Sequence, residues 1–410
     1  MLDPVDLEGK SCPCGSGYEC EDGRCVRDSG ASNGDAGDAD SAPGRRCTSA
    51  PEQTPVHLAC GVRHTCAIRS GELWCWGENV SGQLGIGSQD AVTRPVRVGT
   101  DADWVTVAGG DAHTCGIRNR TGFGGLYCWG GNDYGQLGLG DFEQHRAPEL
   151  VTENLSFATV AAGEMHTCAL EAEGRLWCWG RQEGGAVGLG VVGPPVSVPT
   201  RLSEVDVYVG LAAGLGHNCA VRDDRSLWCW GHYECWQTGS REHPLAPRRV
   251  DDRCWHRSDA GIRHTCAVDE AGSLFCFGGN SDGQLGLGFV DGGETDTIDG
   301  CNAFDVPQPV MPARSWKTVA AGSLHTCALT IEGELYCWGF NQQGQVEDSE
   351  TSVVPAPVRV GAESDWVELC AGFFHTCAAN SAGEIYCVGS NEDGQQGTGS
   401  WNTGLTRVEF

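Results

Sequence analysis

Val160-Ala-Ala-Gly163-Glu-Met-His166-Thr-Cys168-Ala-Leu-Glu-Ala-Glu-Gly174-Arg-Leu-Trp-Cys178-Trp-Gly180, continuing to Gly188-Leu-Gly190, is one copy of a unit that recurs seven times in this chain. The histidines that anchor the copies are His64, His113, His166, His217, His264, His325 and His375, spaced 49, 53, 51, 47, 61 and 50 residues apart. Such a period belongs to propeller blades and is too long for leucine-rich or ankyrin units.

Each unit divides into four short segments with strand character. The first is aromatic and β-branched, as in Asp103-Trp-Val-Thr-Val-Ala108, Ser315-Trp-Lys-Thr-Val-Ala320 and Asp365-Trp-Val-Glu-Leu-Cys370. The second carries His-Thr-Cys-Ala, and a turn such as Ile331-Glu-Gly333 leads into the third, Glu334-Leu-Tyr-Cys-Trp338. The fourth lies beyond a glycine-rich loop and is led by proline: Arg94-Pro-Val-Arg-Val98, Ala246-Pro-Arg-Arg-Val250, Ala356-Pro-Val-Arg-Val360. Proline belongs at a sheet edge or a strand start, so this strand is expected outermost. Period-two parity sets Cys168 and Leu170 against Thr167 and Ala169, and Leu176 against Trp177 and Trp179, so both faces are apolar. Radially packed blades are buried on both faces, whereas a sandwich keeps one face wet. The reading is all-β: a seven-bladed β-propeller of four-stranded antiparallel blades over residues 54–410, preceded by a small cysteine-rich segment (1–26) and an acidic flexible linker (27–53).

Composition narrows the function. The chain has 410 residues, 27 Lys plus Arg against 55 Asp plus Glu, and a formal net charge of −28. Nucleic acid and anionic membranes are held through cations that neutralise phosphate, and no basic stripe is present to do so. No apolar run approaches the ~20 residues of a membrane-spanning helix. The 24 cysteines imply an oxidising compartment. The Met-Leu-Asp-Pro opening has neither a basic start nor an apolar stretch, so export is inferred from the cysteines alone.

The string G-x-x-H-T-C-A followed by L-x-C-W-G-x-N-x-x-G-Q-L-G-x-G resembles the repeat of the regulator of chromosome condensation family, with the whole chain fitting an exported, cysteine-rich bacterial type. The match is strongest at Gly61 to Gly87, Gly110 to Gly140 and Gly261 to Gly288. It is weakest where His232-Tyr-Glu-Cys-Trp-Gln-Thr-Gly239 replaces the loop, and the seventh copy drifts to Gly394-Gln-Gln-Gly397. The resemblance implies a propeller that binds other proteins. One light-sensing branch carries Gly-Trp-Arg-His-Thr, where this chain has Gly61-Val-Arg-His-Thr65 and Gly261-Ile-Arg-His-Thr265, which argues against photoreception.

Every repeat carries a cysteine pair: Cys66/Cys75, Cys115/Cys128, Cys168/Cys178, Cys219/Cys229, Cys266/Cys276, Cys327/Cys337 and Cys377/Cys387. Placed opposite one another on antiparallel strands, with Cα atoms ~4.5–5.5 Å apart, each pair is expected to form an intrablade disulfide. A metal reading of His-x-Cys plus the later Cys is weaker, because structural zinc wants four ligands and compact knuckles. No metal or cofactor is expected. The seven histidines read as half-buried imidazoles that bond backbone at each inner turn, since a catalytic histidine should be unique. The W-C-W triplets, Trp74-Cys-Trp76 and Trp228-Cys-Trp230 among them, read as interblade packing. Neither a nucleophile elbow, nor a phosphate loop, nor H-E-x-x-H is present. The inner segments look interchangeable, which argues against an enzyme.

Cys12, Cys14, Cys20 and Cys25 suit two disulfides that substitute for a core in the short N-terminal segment. Cys235 is expected to pair with Cys254, and Cys60 with Cys370 to clasp the ring, leaving Cys47 with Cys301; Cys47 with Cys60 is as defensible. The ring closes either directly or through a blade shared with the terminal Leu405 to Phe410. Asn119 to Gly125 reads as an extra-long turn. The loops between third and fourth strands vary most, and loops on one rim of a rigid scaffold carry binding chemistry. The longest, Phe289 to Asp305, holds Asp291, Glu294, Asp296 and Asp299 and reads as a solvated acidic insertion in preference to a calcium loop. Its aromatics and those of its neighbours, Tyr134, Phe142, Tyr233, Trp236, Phe289, Phe304 and Phe340, are the candidate binding residues. The expectation is an exported, non-catalytic, monomeric binder of a basic protein partner, extracellular or held at the cell surface. An inhibitor of an extracellular enzyme is its specific version. A polysaccharide-active enzyme and nucleotide exchange on a small GTPase rank below it.

Overall fold

The computed structural model describes residues 18–21, 24–27, 58–120, 122–290, 301–346, 351–400 and 404–410. Four-residue strands at Tyr18–Glu21 and Arg24–Arg27 pair antiparallel, with Cys20 opposite Cys25 in the ladder. Cys12, Cys14, Cys47 and the acidic stretch 291–300 lie outside the described residues.

Seven four-stranded antiparallel sheets follow, each with its strands in chain order. Blade 3 is representative: Phe157–Ala162, His166–Glu171, Leu176–Gly180 and Val196–Arg201, from the innermost strand to the outermost. The first blade begins at Leu58–Cys60 and ends at Val92–Arg97, and the seventh runs from Trp366–Ala371 to Thr406–Arg407. Each blade is thus one continuous segment, and no blade is shared between the chain ends. In blade 2 the expected long turn is instead strand, because His113–Arg120 and Phe123–Gly130 run two residues further than their counterparts.

The apolar core is divided among the blade interfaces. One cluster joins Val268, Leu274 and Leu285 of blade 5 to Trp316, Val319 and Trp338 of blade 6, and another joins Ile385 and Val408 of blade 7 to Leu58 and Trp76 of blade 1. A buried hydrogen-bond relay runs through the same interfaces. His64 Nε2 lies 2.8 Å from Thr114 Oγ1, and Thr114 donates to the Gln83 carbonyl at 2.7 Å. Since that hydroxyl proton is committed to a carbonyl, its oxygen must accept from the imidazole, which is therefore the neutral Nε2–H form. Trp129 Nε1 donates to the same carbonyl at 2.9 Å. The pattern passes from blade to blade until His375 meets Thr65 at 2.9 Å and Thr65 donates to Gln395 at 2.8 Å. Blade 4 carries Asn218 in place of threonine and keeps both bonds, accepting from His166 at 2.9 Å and donating to Ala186 at 2.8 Å. The histidines are thus fully buried and bond side chains of the next blade, not backbone of their own. Burial favours the neutral ring, and their pKa values fall from 6.5 to about 4 for His64 and about 3 for His113.

Glycine makes this closeness attainable. A Cβ on Gly61 would sit 2.2 Å from the His64 ring, and one on Gly85 would sit 2.6 Å from Trp129 Nε1 of the next blade. Gly85 also has φ of +70°, a region costly for other residues. The loop that contains it is tied by Asn79, whose Oδ1 accepts the Leu84 amide at 3.0 Å.

All seven repeat pairs are disulfides, each tying a second strand to the third of its own blade. They are Cys66–Cys75, Cys115–Cys128, Cys168–Cys178, Cys219–Cys229, Cys266–Cys276, Cys327–Cys337 and Cys377–Cys387, in blades 1 to 7. Their spacing corrects the expectation. The Cα atoms of Cys75, Cys128, Cys178, Cys229, Cys276 and Cys387 lie 4.1 Å from those of their partners, and that of Cys337 lies 4.0 Å away. Unlinked facing residues stand ~4.5–5.5 Å apart, so the covalent bond draws the two strands together at each of these positions.

Cys60–Cys370 joins the innermost strands of blades 1 and 7 as expected, which excludes Cys47–Cys60, and Cys235–Cys301 excludes Cys47–Cys301. The expected Cys235–Cys254 bond is replaced by Cys235–Cys301. The reason is geometric. The loop after each third strand leans on the outer strand of the following blade, as Gly87 N to Arg146 O shows at 2.9 Å. Cys235 therefore meets Cys301 and Ala303 there, not the inner strand that follows Cys254. Cys254 is disulfide-bonded too.

Candidate functional site

Antiparallel register puts His166 opposite Gly180, so the loop before each second strand and the loop after each third strand emerge on one rim. Around the channel mouth on this rim, backbone bonds link neighbouring blades: Val62 N to Gly110 O at 3.1 Å, Leu215 N to Gly261 O at 3.2 Å, and Phe373 N to Val62 O at 3.2 Å.

The seven aromatic candidates are not equivalent on this rim. Trp236 is 6% exposed, with the Arg241 guanidinium 4.6 Å from its ring. It stands at φ of +56°, where the better-preserved loops have glycine. Tyr233 stacks on His243 at 4.5 Å, Phe289 packs against Phe304 at 6.5 Å, and Tyr134 lies 5.4 Å from the Arg181 guanidinium. Phe142 is 51% exposed. Phe340 belongs to a group absent from the sequence reading: its ring is 5.5 Å from Phe374, which meets Phe373 edge-on at 4.4 Å, all three half-buried. The signal was available, because Gly372-Phe373-Phe374-His375 has bulky aromatics where the other G-x-x-H loops do not.

On blades 1 to 3, beside the aromatic group, the rim is acidic. Burial raises the carboxyl pKa of Asp111, of Glu164 and of Glu78, and the charge of Asp111 adds to the effect at Glu164. Arg181 approaches Glu164 at 3.9 Å, and Arg63 approaches Glu78 at 4.0 Å.

Below the rim the innermost strands enclose a central channel of about 590 Å³. Its wall contradicts the expectation of seven interchangeable segments. At the position opposite the second-strand cysteine, six blades carry Ala59, Ala108, Ala161, Ala212, Ala320 and Cys370, while blade 5 carries Asp259. Its strand, Trp255-His-Arg-Ser-Asp-Ala260, is polar at four consecutive positions in a mostly apolar lumen. Asp259 Oδ2 accepts the Ala321 amide of blade 6 at 2.9 Å. Burial pushes its carboxyl up to about 6, offset only by the backbone N–H groups of Ala321 and Ala260.

The histidines and cysteines of the repeats make no metal site, because each Nε2 is bonded to the next blade and each sulfur to another, as His113 and Cys115–Cys128 show. With their sulfurs joined to the second strand, Cys75, Cys128, Cys229, Cys276 and Cys387 have no thiolate left to complete a His-x-Cys ligand set. Among the described residues no helix is long and apolar enough to cross a membrane.

Residues 147–409 match the RCC1-like domain, and residues 70–117 and 56–83 match the regulator of chromosome condensation (RCC1) repeat. The ultraviolet-B receptor of Arabidopsis thaliana is 30% identical over 330 residues, covering 77% of this chain and 72% of that protein. The E3 ubiquitin-protein ligase HERC2 of Homo sapiens is 29% identical over 185 residues, 43% of this chain but only 4% of that protein. Among solved structures, Prp20p of Saccharomyces cerevisiae superposes with a TM-score of 0.73 at 22% identity, covering 84% of this chain and 87% of that one.

Proposed function

We propose, for a chain that belongs to the regulator of chromosome condensation repeat family, that it is an exported, non-catalytic propeller that recognises a protein through its loop rim. Relatives support a protein-binding role: Prp20p is described with binding to Gsp1p and histones, and yeast RCC1 with Kap60 bound. The observation that carries the reading is the half-exposed group of Phe340, Phe373 and Phe374 beside the channel mouth. Aromatic side chains anchored on a rigid frame are the usual centres of protein recognition. The acidic rim of blades 1 to 3 beside it suits a basic partner, whose approach would be steered at low salt and slowed at high salt. The oxidised cysteines support export, since a reducing cytosol would not maintain so many disulfides. Such a compartment also sets nucleotide exchange on a cytosolic GTPase aside.

The test is affinity capture from the extracellular medium of the source cells, comparing the native chain with Phe374→Asp and Phe142→Asp. Loss of a captured protein with Phe374→Asp and its retention with Phe142→Asp is the expected result. Equal capture by all three overturns the assignment of this rim sector. A thiol count on unreduced protein from its native compartment tests export, which fails if most of the 24 cysteines are free.

A further inference from the structure

Blade 7 carries a sulfur at a position where no other blade has one. Where five blades place alanine and blade 5 places Asp259, its innermost strand places Cys370, directly opposite Cys377 of the second strand. Cys377 in turn stands opposite Cys387 of the third, so the three form one row across the sheet. Cys60 joins that row from blade 1. It follows Ala59, which shares a face with Cys66, and because successive strand residues face opposite sides it turns toward blade 7. The Sγ atoms of Cys60, Cys370 and Cys377 all lie within 4.8 Å of one another, the one such trio of cysteine sulfurs among the described residues. Two disulfides, Cys60–Cys370 and Cys377–Cys387, thus stand end to end.

The two bonds differ in access. Cys60 and Cys370 line the central channel, with Cys60 half-buried and Cys370 8% exposed, whereas Cys377 and Cys387 are 0% exposed. A thiol in the channel therefore meets the first bond and not the second. Disulfide exchange proceeds by attack of a thiolate on one sulfur with departure of the other, so access and the place of the next sulfur decide which bonds take part. Cys370 stands on the side of Cys377 that faces away from Cys387, so a thiolate there approaches along the Cys377–Cys387 bond, opposite the leaving sulfur. It also faces Cys377 in the ladder relation that every repeat pair has, a Cα separation of ~4.5–5.5 Å that a disulfide accepts. In the other six blades alanine or Asp259 occupies that flank, and no such exchange is available.

We propose that the channel face of the Cys60–Cys370 bond is a thiol-exchange site whose substrate is a low-molecular-weight thiol, and that it passes the exchange outward along blade 7. The incoming thiolate attacks Cys60 Sγ, forms a mixed disulfide there and breaks the Cys60–Cys370 bond, leaving the electron pair on Cys370. The Cys370 thiolate then attacks Cys377 Sγ. A Cys370–Cys377 bond forms, the Cys377–Cys387 bond breaks, and Cys387 leaves as a thiolate that takes up the proton given away by the incoming thiol. One thiol is consumed and one is released, so no further oxidant or reductant enters. The cross-link moves from between blades 7 and 1 to within blade 7. Closure of the ring then rests on the apolar contacts of Leu58 and Trp76 with Ile385 and Val408, and on the bond between His375 and Thr65.

The experiment incubates the folded full chain with reduced glutathione, traps free thiols with N-ethylmaleimide and maps the cross-links by mass spectrometry without reduction. The expected first product carries glutathione on Cys60, a Cys370–Cys377 bond and an alkylated Cys387. It should form about tenfold or more faster than Cys115–Cys128 opens, since that bond is enclosed and has no third sulfur beside it. Replacing the acceptor, Cys377→Ala with Cys387→Ala, should leave glutathione on Cys60 and make Cys370 the alkylated residue. The native chain tests the site by itself, so the outcome does not depend on whether that variant folds. A Cys60–Cys370 bond that opens no faster than the repeat pairs overturns the proposal. So does an alkylated Cys370 beside an intact Cys377–Cys387 bond in the native chain.

Discussion

Acid should destabilise this protein as soon as pH falls below about 6.5, because each blade interface contains a histidine that must stay neutral. In the folded chain these rings titrate at about 3 to 4, against 6.5 for a free side chain. The unfolded chain therefore takes up protons first as pH falls below 6.5. Stability is lost from there down to the folded values and is constant below them. At pH 5 the loss per histidine is RT ln(1 + 10^1.5), about 2 kcal/mol, so seven rings lose about 14 kcal/mol. Asp259 acts with the opposite sign: its carboxyl at about 6 binds a proton in the folded state first and returns about 1 kcal/mol at the same pH. Asp111, Glu164, Glu78, Asp269 and Asp282 are also raised and act in that direction. The net loss is comparable with the whole stability of a typical domain, about 5–15 kcal/mol. Urea unfolding from pH 8 to pH 4.5, with disulfides intact, should show a slope near pH 5 that corresponds to uptake of several protons. His375→Gln, whose amide can still donate to Thr65, should remove about one proton from that slope. A midpoint unchanged between pH 7 and pH 5 would refute the neutral relay.

Two further outcomes follow from the geometry. Replacing both Cys60 and Cys370 by serine opens a loop of 310 residues, for which chain entropy predicts up to ~5–6 kcal/mol of destabilisation; opening any one repeat pair removes a short loop worth ~3 kcal/mol. Chemical denaturation of the two kinds of variant should rank them in that order, and the reverse order would show that closure rests on the apolar interface alone. Gly286→Ala places a Cβ 2.8 Å from Trp338 Nε1 at φ of +73°, whereas Gly288→Ala at φ of +87° meets nothing within 4 Å. Both carry the backbone cost, about 1 kcal/mol, so the extra loss in the first measures the contact, and equal losses would mean that the loop gives way freely.

Repetition explains what was readable beforehand. A pattern written seven times exposes its own period, and two-residue parity within it located both faces and the cross-strand cysteines. Relations between blades were harder to read. His64 and Thr114 are 50 residues apart, and nothing local marks one as the other's partner; only the substitution of Asn218, which can both donate and accept, hints that the position needs a group able to do both. The Cys235 pairing failed for the same reason, since the lean of each loop onto the following blade is a property of the assembled ring. Asp259 and Phe374 are a different case. Both were visible as departures from the repeat, but shared features drew attention away from the single exceptions in which a repeat protein places its individual chemistry.

The Cys60–Cys370 bond joins positions 310 apart in the propeller sequence, so the chain from Cys60 to Cys370 forms a covalent hoop. A protease that cuts once in any rim loop of that hoop would convert the ring into a linear chain whose pieces remain attached. The cut blade would also stay held on both sides by its neighbours, through the threonine and tryptophan bonds to their loops. Two cuts would be needed before any of blades 1 to 6 could leave, and even then each hairpin would depart with its own cross-link. In surroundings rich in proteases, damage at the exposed loops would thus be decoupled from loss of the binding face.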